Sequence, residues 1–324
     1  MINAAIVGLG WWGKNIVGAV QGKSDKICFI HGVSHEPDSV REFAQERGFT
    51  LSTTLEAALA DPRVQAVALA TPHSTHRKLV EQVAAAGKPI FCEKPFALKF
   101  ADALAMTEAC KKAGVLIAVG QNKRFWPSMV ELRKVVASGV LGRVLHIEGH
   151  YSNENSSNFF APWRDLPSET PGAGMTGTGI HILDAFTNLA GPSAEVNAQF
   201  IATRKGQNPL DTVSVLFRFA NGVSGFLGAV RPSPFYWRVQ VFGDQGSVEA
   251  LGETECITRL SGGKIERKEF PKIDSLLTEF DLFADAATGK APYPITPDEM
   301  VNTIGAFESI ITSIETGKPV KLTG

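Results

Sequence analysis

Residues 4–13 read Ala4-Ala5-Ile6-Val7-Gly8-Leu9-Gly10-Trp11-Trp12-Gly13, a short apolar run that leads into three spaced glycines. The run predicts a strand, and the residues after the third glycine are compatible with a helix. The pattern G-x-G-x-x-G in that setting is typical of a dinucleotide-binding turn. The first glycine permits the tight turn, the second lets a pyrophosphate approach the backbone, and the third allows close helix–strand packing. We therefore predict that the phosphates of a dinucleotide lie at the positive end of this helix.

Apolar strands that alternate with helices follow this turn. The predicted strands are Ile27 to Val33, Val64 to Ala70, Pro89 to Lys94 and Val115 to Val119, and the predicted helices are Pro37 to Arg47, Thr54 to Ala60, His73 to Ala86 and Ala101 to Ala113. This alternation is typical of a parallel sheet with helices on both faces, in which ligands bind beyond the carboxyl ends of the strands. Two such ends are Thr71-Pro72-His73 and Glu93-Lys94-Pro95.

Lys94 stands between a carboxylate and a proline at the end of the strand Pro89-Ile90-Phe91-Cys92-Glu93. Pro95 has a fixed φ and excludes the preceding residue from the helical region. The lysine therefore lies on a rigid corner, and rigid placement matters because a shift of about 1 Å in a reacting group can be costly. Most loop lysines are simply solvated. The dinucleotide turn at the start of the chain favours a functional ammonium here.

The end of the second strand bears on the choice of dinucleotide. An NAD-specific fold usually has Asp or Glu there, which binds the ribose 2′-hydroxyl. The sequence is Val33-Ser34-His35-Glu36, with no acid at the expected position. Ser34 and His35, with Arg41 nearby, could bind a 2′-phosphate, although Glu36 is one step from the NAD pattern. The residues leave NAD and NADP open, and we favour NADP.

Length and composition exclude several classes of protein. A chain of 324 residues favours two domains, and a net charge of −1 argues against nucleic acid or an anionic membrane as partner. No apolar run reaches the roughly 20 residues that span a bilayer, and we expect no signal peptide. The cysteines show no paired spacing, which is typical of reduced thiols in a cytoplasmic protein. They are Cys28, Cys92, Cys110 and Cys256.

From Arg143 the pattern changes to a period of two with hairpin signals. The segments Thr212 to Phe219 and Val223 to Val230 are joined by Asn221-Gly222, a strong hairpin turn. Further strands at Val144 to Tyr151, Arg238 to Phe242, Ser247 to Leu251, Cys256 to Leu260 and Lys264 to Phe270 predict a large, mostly antiparallel open sheet. Helices Ser275 to Thr288 and Pro297 to Thr316 close the chain. We predict domains 1–121 and 122–324, the second being an α+β domain for substrate binding and oligomerisation whose C-terminal helix can pack back on the first. We also expect an uncovered sheet face to favour self-association.

The segment Ser152 to Thr178 is irregular, and Gly177-Thr178-Gly179-Ile180-His181-Ile182-Leu183-Asp184 follows it. His181 and Asp184 are three residues apart, so they share a face if this is a helix. A histidine at such a loop-to-helix start is a candidate for proton transfer, and the glycines around it clear room for a ligand. An ordinary core histidine is an equally good interpretation of the pattern.

Two histidines in the first domain raise the question of a metal. His73 and His76 have a separation that suits two zinc ligands, but no cysteine or acid pattern completes the site. Packing on a helix face is the better interpretation, and we predict no metal.

These motifs together resemble the glucose–fructose oxidoreductase/inositol dehydrogenase/rhizopine catabolism (Gfo/Idh/MocA) family of NAD(P)-dependent oxidoreductases. The matching segments, in order along nearly the whole chain, are Gly8 to Gly13, Ala70 to His76, Glu93 to Pro95, Val119 to Phe125, Gly179 to Asp184 and Gly317 to Val320. The resemblance implies an N-terminal Rossmann domain to about Gln121. It also implies a C-terminal open-sheet domain that mediates homodimers or homotetramers.

The resemblance further implies that Lys94 is catalytic, that His181 is the proton acceptor and that the Lys94–Pro95 peptide bond is cis. Many members of the family have an aspartate four residues before the histidine. Gly177 stands there in this chain, which puts the usual sugar or inositol substrate in doubt. Asp184, on the other side of His181, is a candidate to orient the imidazole.

We therefore predict an α/β enzyme that transfers a hydride between a secondary alcohol and nicotinamide C4. The ammonium of Lys94 and the imidazole of His181 are expected to converge on one carbon. The predicted cofactor-binding residues are Gly8, Gly10, Trp11, Trp12, Gly13, Ser34, His35, Arg41, Thr71, Pro72, His73, His76, Glu93, Lys94 and Gln121. The predicted substrate residues are Lys94, Arg124, Trp163, Arg164, His181 and Asp184.

The substrate is left open between a sugar, a polyol and a cyclic diol, because Trp163, Phe235, Tyr236 and Trp237 suggest apolar walls. Two other functions compete with the dehydrogenase. One is a lyase, hydrolase or epimerase that retains its cofactor and oxidises the substrate transiently. The other is a non-catalytic regulator that binds dinucleotide, which the intact Lys94 and His181 argue against.

Overall fold

The computed structural model describes residues 1–154, 162–172, 174–202 and 211–322, and it divides into two compact units. The first contains Met1–Asn122 together with Asp274–Met300, and the second contains Lys123–Ile273 and Val301–Gly324. The sequence prediction divided the chain once, after residue 121. In the structure the first unit also includes a segment that follows most of the second unit in the sequence.

The first unit is built on a six-stranded parallel sheet in the order β3-β2-β1-β4-β5-β6. Its strands are β1 Ile2–Val7, β2 Ile27–Val33, β3 Thr50–Ser52, β4 Ala66–Leu69, β5 Ile90–Glu93 and β6 Ile117–Gly120. Its first five helices are α1 Trp11–Val20, α2 Arg41–Arg47, α3 Leu55–Ala60, α4 His76–Ala85 and α5 Phe100–Ala113. The predicted Rossmann sheet is confirmed. The short edge strand β3 was missed because none of its three residues is buried.

The second unit contains a nine-stranded sheet in the order β14-β13-β12-β11-β7-β10-β9-β8-β15. Its strands are β7 Val144–Ser152, β8 Ser193–Ala202, β9 Asp211–Phe219, β10 Ser224–Val230, β11 Tyr236–Gly243, β12 Gly246–Leu251, β13 Glu255–Leu260, β14 Ile265–Glu269 and β15 Val320–Lys321. Among the strand pairs of the described residues only β10–β7 is parallel, so the predicted, mostly antiparallel open sheet is confirmed. The hairpin around Asn221-Gly222 joins β9 to β10 as predicted. Strands β8 and β15 were not predicted.

In the second unit the helix α6 Pro127–Ala137 precedes β7 in the chain, and the helix α7 Ile180–Ala190 follows it. Helix α6 was not predicted, whereas α7 begins where the His181 segment indicated a helix. Helix α7 packs on the sheet so closely that a Cβ at Gly149 of β7 would clash with Ile182. The absence of a side chain at Gly149 therefore sets the distance between the sheet and the helix that carries His181.

The segment 274–300 contains α8 Ser275–Ala287 and the start of α9 Pro297–Thr316. Phe280 of α8 is fully buried, and its ring centroid lies 4.2 Å from that of Phe91 and 5.9 Å from that of Phe29. The Asp281 carboxylate accepts a 2.6 Å hydrogen bond from Ser24. Burying a phenylalanine contributes about 1.5–3 kcal/mol. These contacts explain why this late segment is part of the first unit.

The two faces of the nine-stranded sheet differ. The face of Phe217 packs on α7, where its ring meets that of Phe186 at 5.5 Å. The opposite face presents Leu216, which is 57 % exposed, and Ile201, which is 52 % exposed.

Within the part of the chain that the structure describes, no helix has both the length and the apolar content to cross a membrane.

Candidate active site

The glycine turn between β1 and α1 has the geometry that its pattern predicts. Gly8 has φ +93°, and a Cβ there would clash with the Ala70 carbonyl at the end of β4. A Cβ at Gly13 would clash with the Gly8 carbonyl, so the third glycine lets α1 pack directly on the turn. A Cβ at Gly10 would have no atom within 4 Å. The turn therefore closes tightly on the protein side and leaves open space at the second glycine.

The start of α1 is suited to an anion. Gly10 is the N-cap residue and supplies no side-chain hydrogen bond, and the first turn contains no acidic residue. The first amides of a helix have no intrahelical acceptor, and the helix dipole adds partial positive charge. Trp12 Nε1 is buried and has no hydrogen-bond partner among the described residues. These features fit the diphosphate of a dinucleotide, which would bind at Gly10, Trp11 and Trp12.

At the end of β2 the structure shows no carboxylate in the position of a ribose ligand. Ser34 follows the strand, and its Oγ accepts a 3.2 Å hydrogen bond from the Glu36 amide. His35 and Glu36 are exposed. Arg41 is exposed as well and forms an ion pair with Asp38, three residues before it. The polar and basic groups that could read a 2′-phosphate thus lie at the surface in one short segment.

Lys94 is the one residue between Ile90 and Ala97 that is not buried. The carboxylate of Glu93 accepts a 3.2 Å hydrogen bond from the Lys94 amide. A Cβ at Gly120 of β6 would lie 2.8 Å from Glu93 Oε1, so that carboxylate lies against the neighbouring strand. The Lys94–Pro95 peptide bond is cis. Glu93 is thus placed to hold the backbone that presents the lysine.

The other predicted residues of the first unit lie at the carboxyl ends of β4 and β6. Thr71 Oγ1 hydrogen-bonds Thr75 Oγ1 at 2.8 Å, and the Gln121 amide donates to the Val119 carbonyl at 3.1 Å. His73 is buried, and its ring lies 5.9 Å from that of His76. Among the described residues no group of three or more His, Cys, Asp and Glu side chains could hold a metal ion.

In the second unit His181 is the second residue of α7, directly after a π-helical turn at Met175–Gly179. Its side chain is buried, and its ring centroid lies 6.1 Å from that of Tyr151 on β7. Burial raises the pKa of the Tyr151 phenol, which keeps its hydroxyl protonated near neutral pH. Short π-helical turns are frequent at functional sites. A Cβ at Gly177, within the turn, would have no atom within 4 Å.

Arg124 and Asp184 form a buried, two-fold hydrogen-bonded ion pair. Arg124 Nη2 lies 2.7 Å from Asp184 Oδ1, and Arg124 Nε lies 3.0 Å from Oδ2. The sequence predicted substrate contacts for both residues. What the structure shows for them is this mutual pair, which ties residues 122–125 to the helix that carries His181. Removing one partner of such a pair typically costs about 3–5 kcal/mol, because a buried charge remains.

An aromatic cluster around Lys123 was not predicted from sequence. The Lys123 ammonium lies 4.1 Å from the ring centroid of Trp126, 4.9 Å from that of Tyr151 and 5.9 Å from that of Trp237. Each ring face attracts a cation, so the cluster holds this ammonium beside the tyrosine that neighbours His181. The three aromatic residues are far apart in the sequence, and no local pattern joins them.

The predicted substrate loop is described only in part. Residues 155–161 and 173 of the segment Ser152 to Thr178 lie outside the described residues. The guanidinium of Arg164 lies 4.7 Å from the ring centroid of Trp163. Of the predicted apolar walls, Trp237 is buried, whereas Phe235 and Tyr236 are exposed and lie in or beside the start of β11.

A parallel sheet with a glycine turn that fits a diphosphate, together with a second unit built on a large open sheet, defines a two-unit dinucleotide-binding protein. The chain belongs to the Gfo/Idh/MocA oxidoreductase family. Residues 2–121 match its model described as "Oxidoreductase family, NAD-binding Rossmann fold", and residues 129–249 match "GFO/IDH/MocA C-terminal domain".

Three known proteins illustrate the similarity. An uncharacterized oxidoreductase of Schizosaccharomyces pombe is 32 % identical over 47 % of this chain, and the match spans only 41 % of that protein. The scyllo-inositol 2-dehydrogenase (NAD(+)) of Bacillus subtilis is 28 % identical over 99 % of this chain and 96 % of its own length. The solved structure of levoglucosan dehydrogenase in complex with NADH and L-sorbose has a TM-score of 0.88 at 22 % identity, and the alignment covers 99 % of both chains.

Proposed function

We propose that this protein is an NAD(P)-dependent dehydrogenase that oxidises a secondary alcohol of a sugar, a polyol or a cyclic diol. The observation that carries the proposal is the placement of Lys94. It is the one side chain left unburied in the segment Ile90 to Ala97. It directly follows the carboxyl end of β5, in a parallel sheet whose glycine turn fits a diphosphate. Ligands of such sheets bind beyond the carboxyl ends of the strands.

In the proposed reaction His181 accepts the proton of the substrate hydroxyl, a task suited to an imidazole near neutral pH. Lys94 donates a hydrogen bond to the same oxygen and stabilises the negative charge that develops on it. Glu93 holds the backbone of the lysine through the Lys94 amide. The bound nicotinamide supplies the hydride acceptor, and the protein supplies orientation and electrostatics.

Family membership supports the assignment of a polyol or sugar substrate, since the similar proteins named above include an inositol dehydrogenase and levoglucosan dehydrogenase. Because Tyr151 and Trp237 supply apolar surroundings, a cyclic diol remains among the candidate substrates. The same proposal puts the enzyme in the cytoplasm, where its four cysteines stay reduced.

A substrate screen tests the proposed function. Purified protein with NAD or NADP is offered inositols, anhydrosugars, sugars and cyclohexadiene diols, and reduced nicotinamide is followed by its absorbance. We expect turnover with at least one of these alcohols. Substrate conversion with no net change in absorbance, by protein purified with nicotinamide bound, would contradict the dehydrogenase and favour the lyase, hydrolase or epimerase. Dinucleotide binding with no conversion of any kind would favour the regulator.

The polar and basic residues Ser34, His35 and Arg41 support a preference for NADP. We expect Ser34→Asp to lower the ratio of kcat/KM with NADP to that with NAD. The new carboxylate accepts hydrogen bonds from the ribose hydroxyls of NAD and repels a 2′-phosphate. A charge-assisted hydrogen bond contributes about 1.5–3 kcal/mol, which corresponds to a change of roughly 10–100-fold. Steady-state kinetics with both dinucleotides measures the ratio.

The control for this prediction is Ser261→Asp, which adds the same charge at an exposed position in the second unit. It should leave the ratio unchanged. Wild-type protein that already prefers NAD, or a ratio that Ser34→Asp does not move, would show that the 2′-phosphate is not read by this segment.

The open face of the nine-stranded sheet is proposed to bind a second copy of this chain. Leu216 of β9 and Phe226 of β10 are directly opposite each other and exposed, and Ile201 of β8 is exposed farther along the same face of the sheet. Leu216 and Phe226 form an apolar surface of the kind that symmetric dimers cover. Charged pairs such as Arg218 with Glu195 stand beside it.

We expect Leu216→Arg to convert the oligomer to a monomer, because it places an unpaired charge in the apolar part of the interface. Light scattering after size-exclusion chromatography measures the mass. The control is Leu145→Arg, since Leu145 is also exposed but has the parity of the residues of β7 that face α7. A monomeric wild-type protein at micromolar concentration would contradict the proposal.

A further inference from the structure

His76 makes contacts that neither the family assignment nor the proposed reaction explains. It is the first residue of α4 and is completely buried. On one side of the ring, Nδ1 lies 3.1 Å from the Pro95 carbonyl oxygen and 3.2 Å from that of Phe96. On the other side, Nε2 lies 3.2 Å from the Thr71 carbonyl oxygen. One imidazole therefore touches both the segment after β4 and the two residues that follow Lys94.

Carbonyl oxygens only accept hydrogen bonds, so the position of the ring hydrogen decides which of these contacts is a bond. A neutral imidazole has a single N–H. Nδ1 faces the Pro95 and Phe96 carbonyl oxygens at 3.1 and 3.2 Å, and Nε2 faces the Thr71 carbonyl oxygen at 3.2 Å. The geometry therefore favours the neutral tautomer with hydrogen on Nδ1, donating to Pro95 and Phe96.

The segment that contains Lys94 needs such a donor. Pro95 has no amide hydrogen, so this residue can be held by hydrogen bonds only through its carbonyl oxygen. The Lys94 amide is already held by the Glu93 carboxylate on the side that precedes the lysine. His76 supplies the corresponding bond on the side that follows it. The backbone of Lys94 is thereby fastened on both sides.

We propose that His76, as its Nδ1–H tautomer, is a positioning residue that fixes the ammonium of Lys94 by holding the carbonyl oxygens of Pro95 and Phe96. His76 was predicted from sequence to bind the cofactor. Its complete burial and its contacts with the Pro95 and Phe96 carbonyl oxygens support a role in holding the lysine segment. The consequence for turnover rests on the proposed role of Lys94, whereas the hydrogen bonds do not.

Two amide substitutions separate the two sides of the ring. In His76→Asn the side-chain NH₂ can take the place of Nδ1, and in His76→Gln it can take the place of Nε2. We expect His76→Asn to keep kcat within a few-fold of wild type and His76→Gln to lower it by about 10–100-fold, since a displacement of about 1 Å can cost that much. Dinucleotide affinity, measured by calorimetry, should change little in either variant.

Hydrogen–deuterium exchange of the peptide that covers residues 90–99 gives a readout independent of activity. We expect protection like that of wild type in His76→Asn and faster exchange in His76→Gln. Equal exchange in the two variants, or greater loss in His76→Asn, would overturn the inference, as would weakened dinucleotide binding with unchanged kcat. If His76→Gln fails to fold, His76→Asn still decides, because loss of protection or of kcat in that variant contradicts the proposal.

The same measurements keep this inference separate from the proposed function. Exchange that follows the expected pattern, combined with normal turnover in Lys94→Met, would leave His76 as the residue that holds the segment and would remove Lys94 from the chemistry. Normal exchange in His76→Gln, combined with loss of turnover in Lys94→Met, would keep Lys94 in the reaction and would show that His76 does not hold the segment.

Discussion

Replacing Lys94 with methionine is expected to lower kcat/KM by about three orders of magnitude while dinucleotide affinity stays close to that of wild type. Methionine has nearly the length of lysine and fills the same half-buried space, but it cannot donate a hydrogen bond or carry charge. Removing one donor to a developing oxyanion costs about 10²–10³-fold, and a charged donor in a partly buried position is at the upper end. Steady-state kinetics measures kcat/KM, and calorimetric titration measures the affinity for the dinucleotide.

The matched control for this variant is Lys112→Met. Lys112 is exposed in the last turn of α5 in the same unit, so the chemical change is identical, and this end of the helix leads into the amino end of β6 and not from the carboxyl end of a strand. We expect normal turnover in the control. Near-normal turnover in Lys94→Met itself would remove this residue from the reaction. Loss of dinucleotide binding in parallel with activity would make it a cofactor ligand only.

Replacing His181 with asparagine is expected to lower kcat for alcohol oxidation by about 10²–10⁴-fold, the usual contribution of a general base. Asparagine keeps hydrogen-bonding capacity in the buried space beside Tyr151 but cannot take up a proton. A base must be deprotonated to act, so oxidation by the wild-type enzyme should slow as the pH falls. In His181→Asn this acidic limb of the kcat/KM profile should disappear, leaving a low rate that does not depend on pH over the same range.

The control for the second variant is His146→Asn, the same replacement on β7, where His146 hydrogen-bonds the Ser224 hydroxyl at 2.7 Å. It should retain both the rate and the acidic limb. Thermal unfolding of both variants shows whether the helix α7 is still packed. An unchanged acidic limb in His181→Asn would assign the base to another group, even if the rate were lower.

The prediction from sequence was best where the signal is local. The strand and glycines of residues 4–13 predict the turn, because Gly13 packs on the carbonyl of Gly8, a close neighbour in the sequence. The Asn221-Gly222 hairpin and the strands around it follow from the same kind of signal. Strand β8 escaped prediction, since two of its buried positions are Val196 and Ala198, and the second is too small to mark a period of two.

Local sequence signals also predicted part of the candidate site. Lys94 was identified because Pro95 follows it directly. His181 was identified because glycines flank it and because its segment resembles that of the family. The cluster of Trp126, Tyr151 and Trp237 around Lys123 was missed, since the rings come from three distant parts of the chain.

The amino-acid sequence by itself determined the dinucleotide turn, the alternation of strands and helices in the first unit, and the two residues proposed for the chemistry. These depend on backbone conformation and side-chain period, which neighbouring residues control. Only the tertiary structure showed that α8 belongs to the first unit and that Arg124 and Asp184 form a buried ion pair. It also showed that the His76 ring lies against the Pro95 carbonyl oxygen, directly after Lys94. These contacts form between residues that are far apart in the chain. A buried polar group needs a hydrogen-bond partner, and no short stretch of sequence specifies where that partner lies.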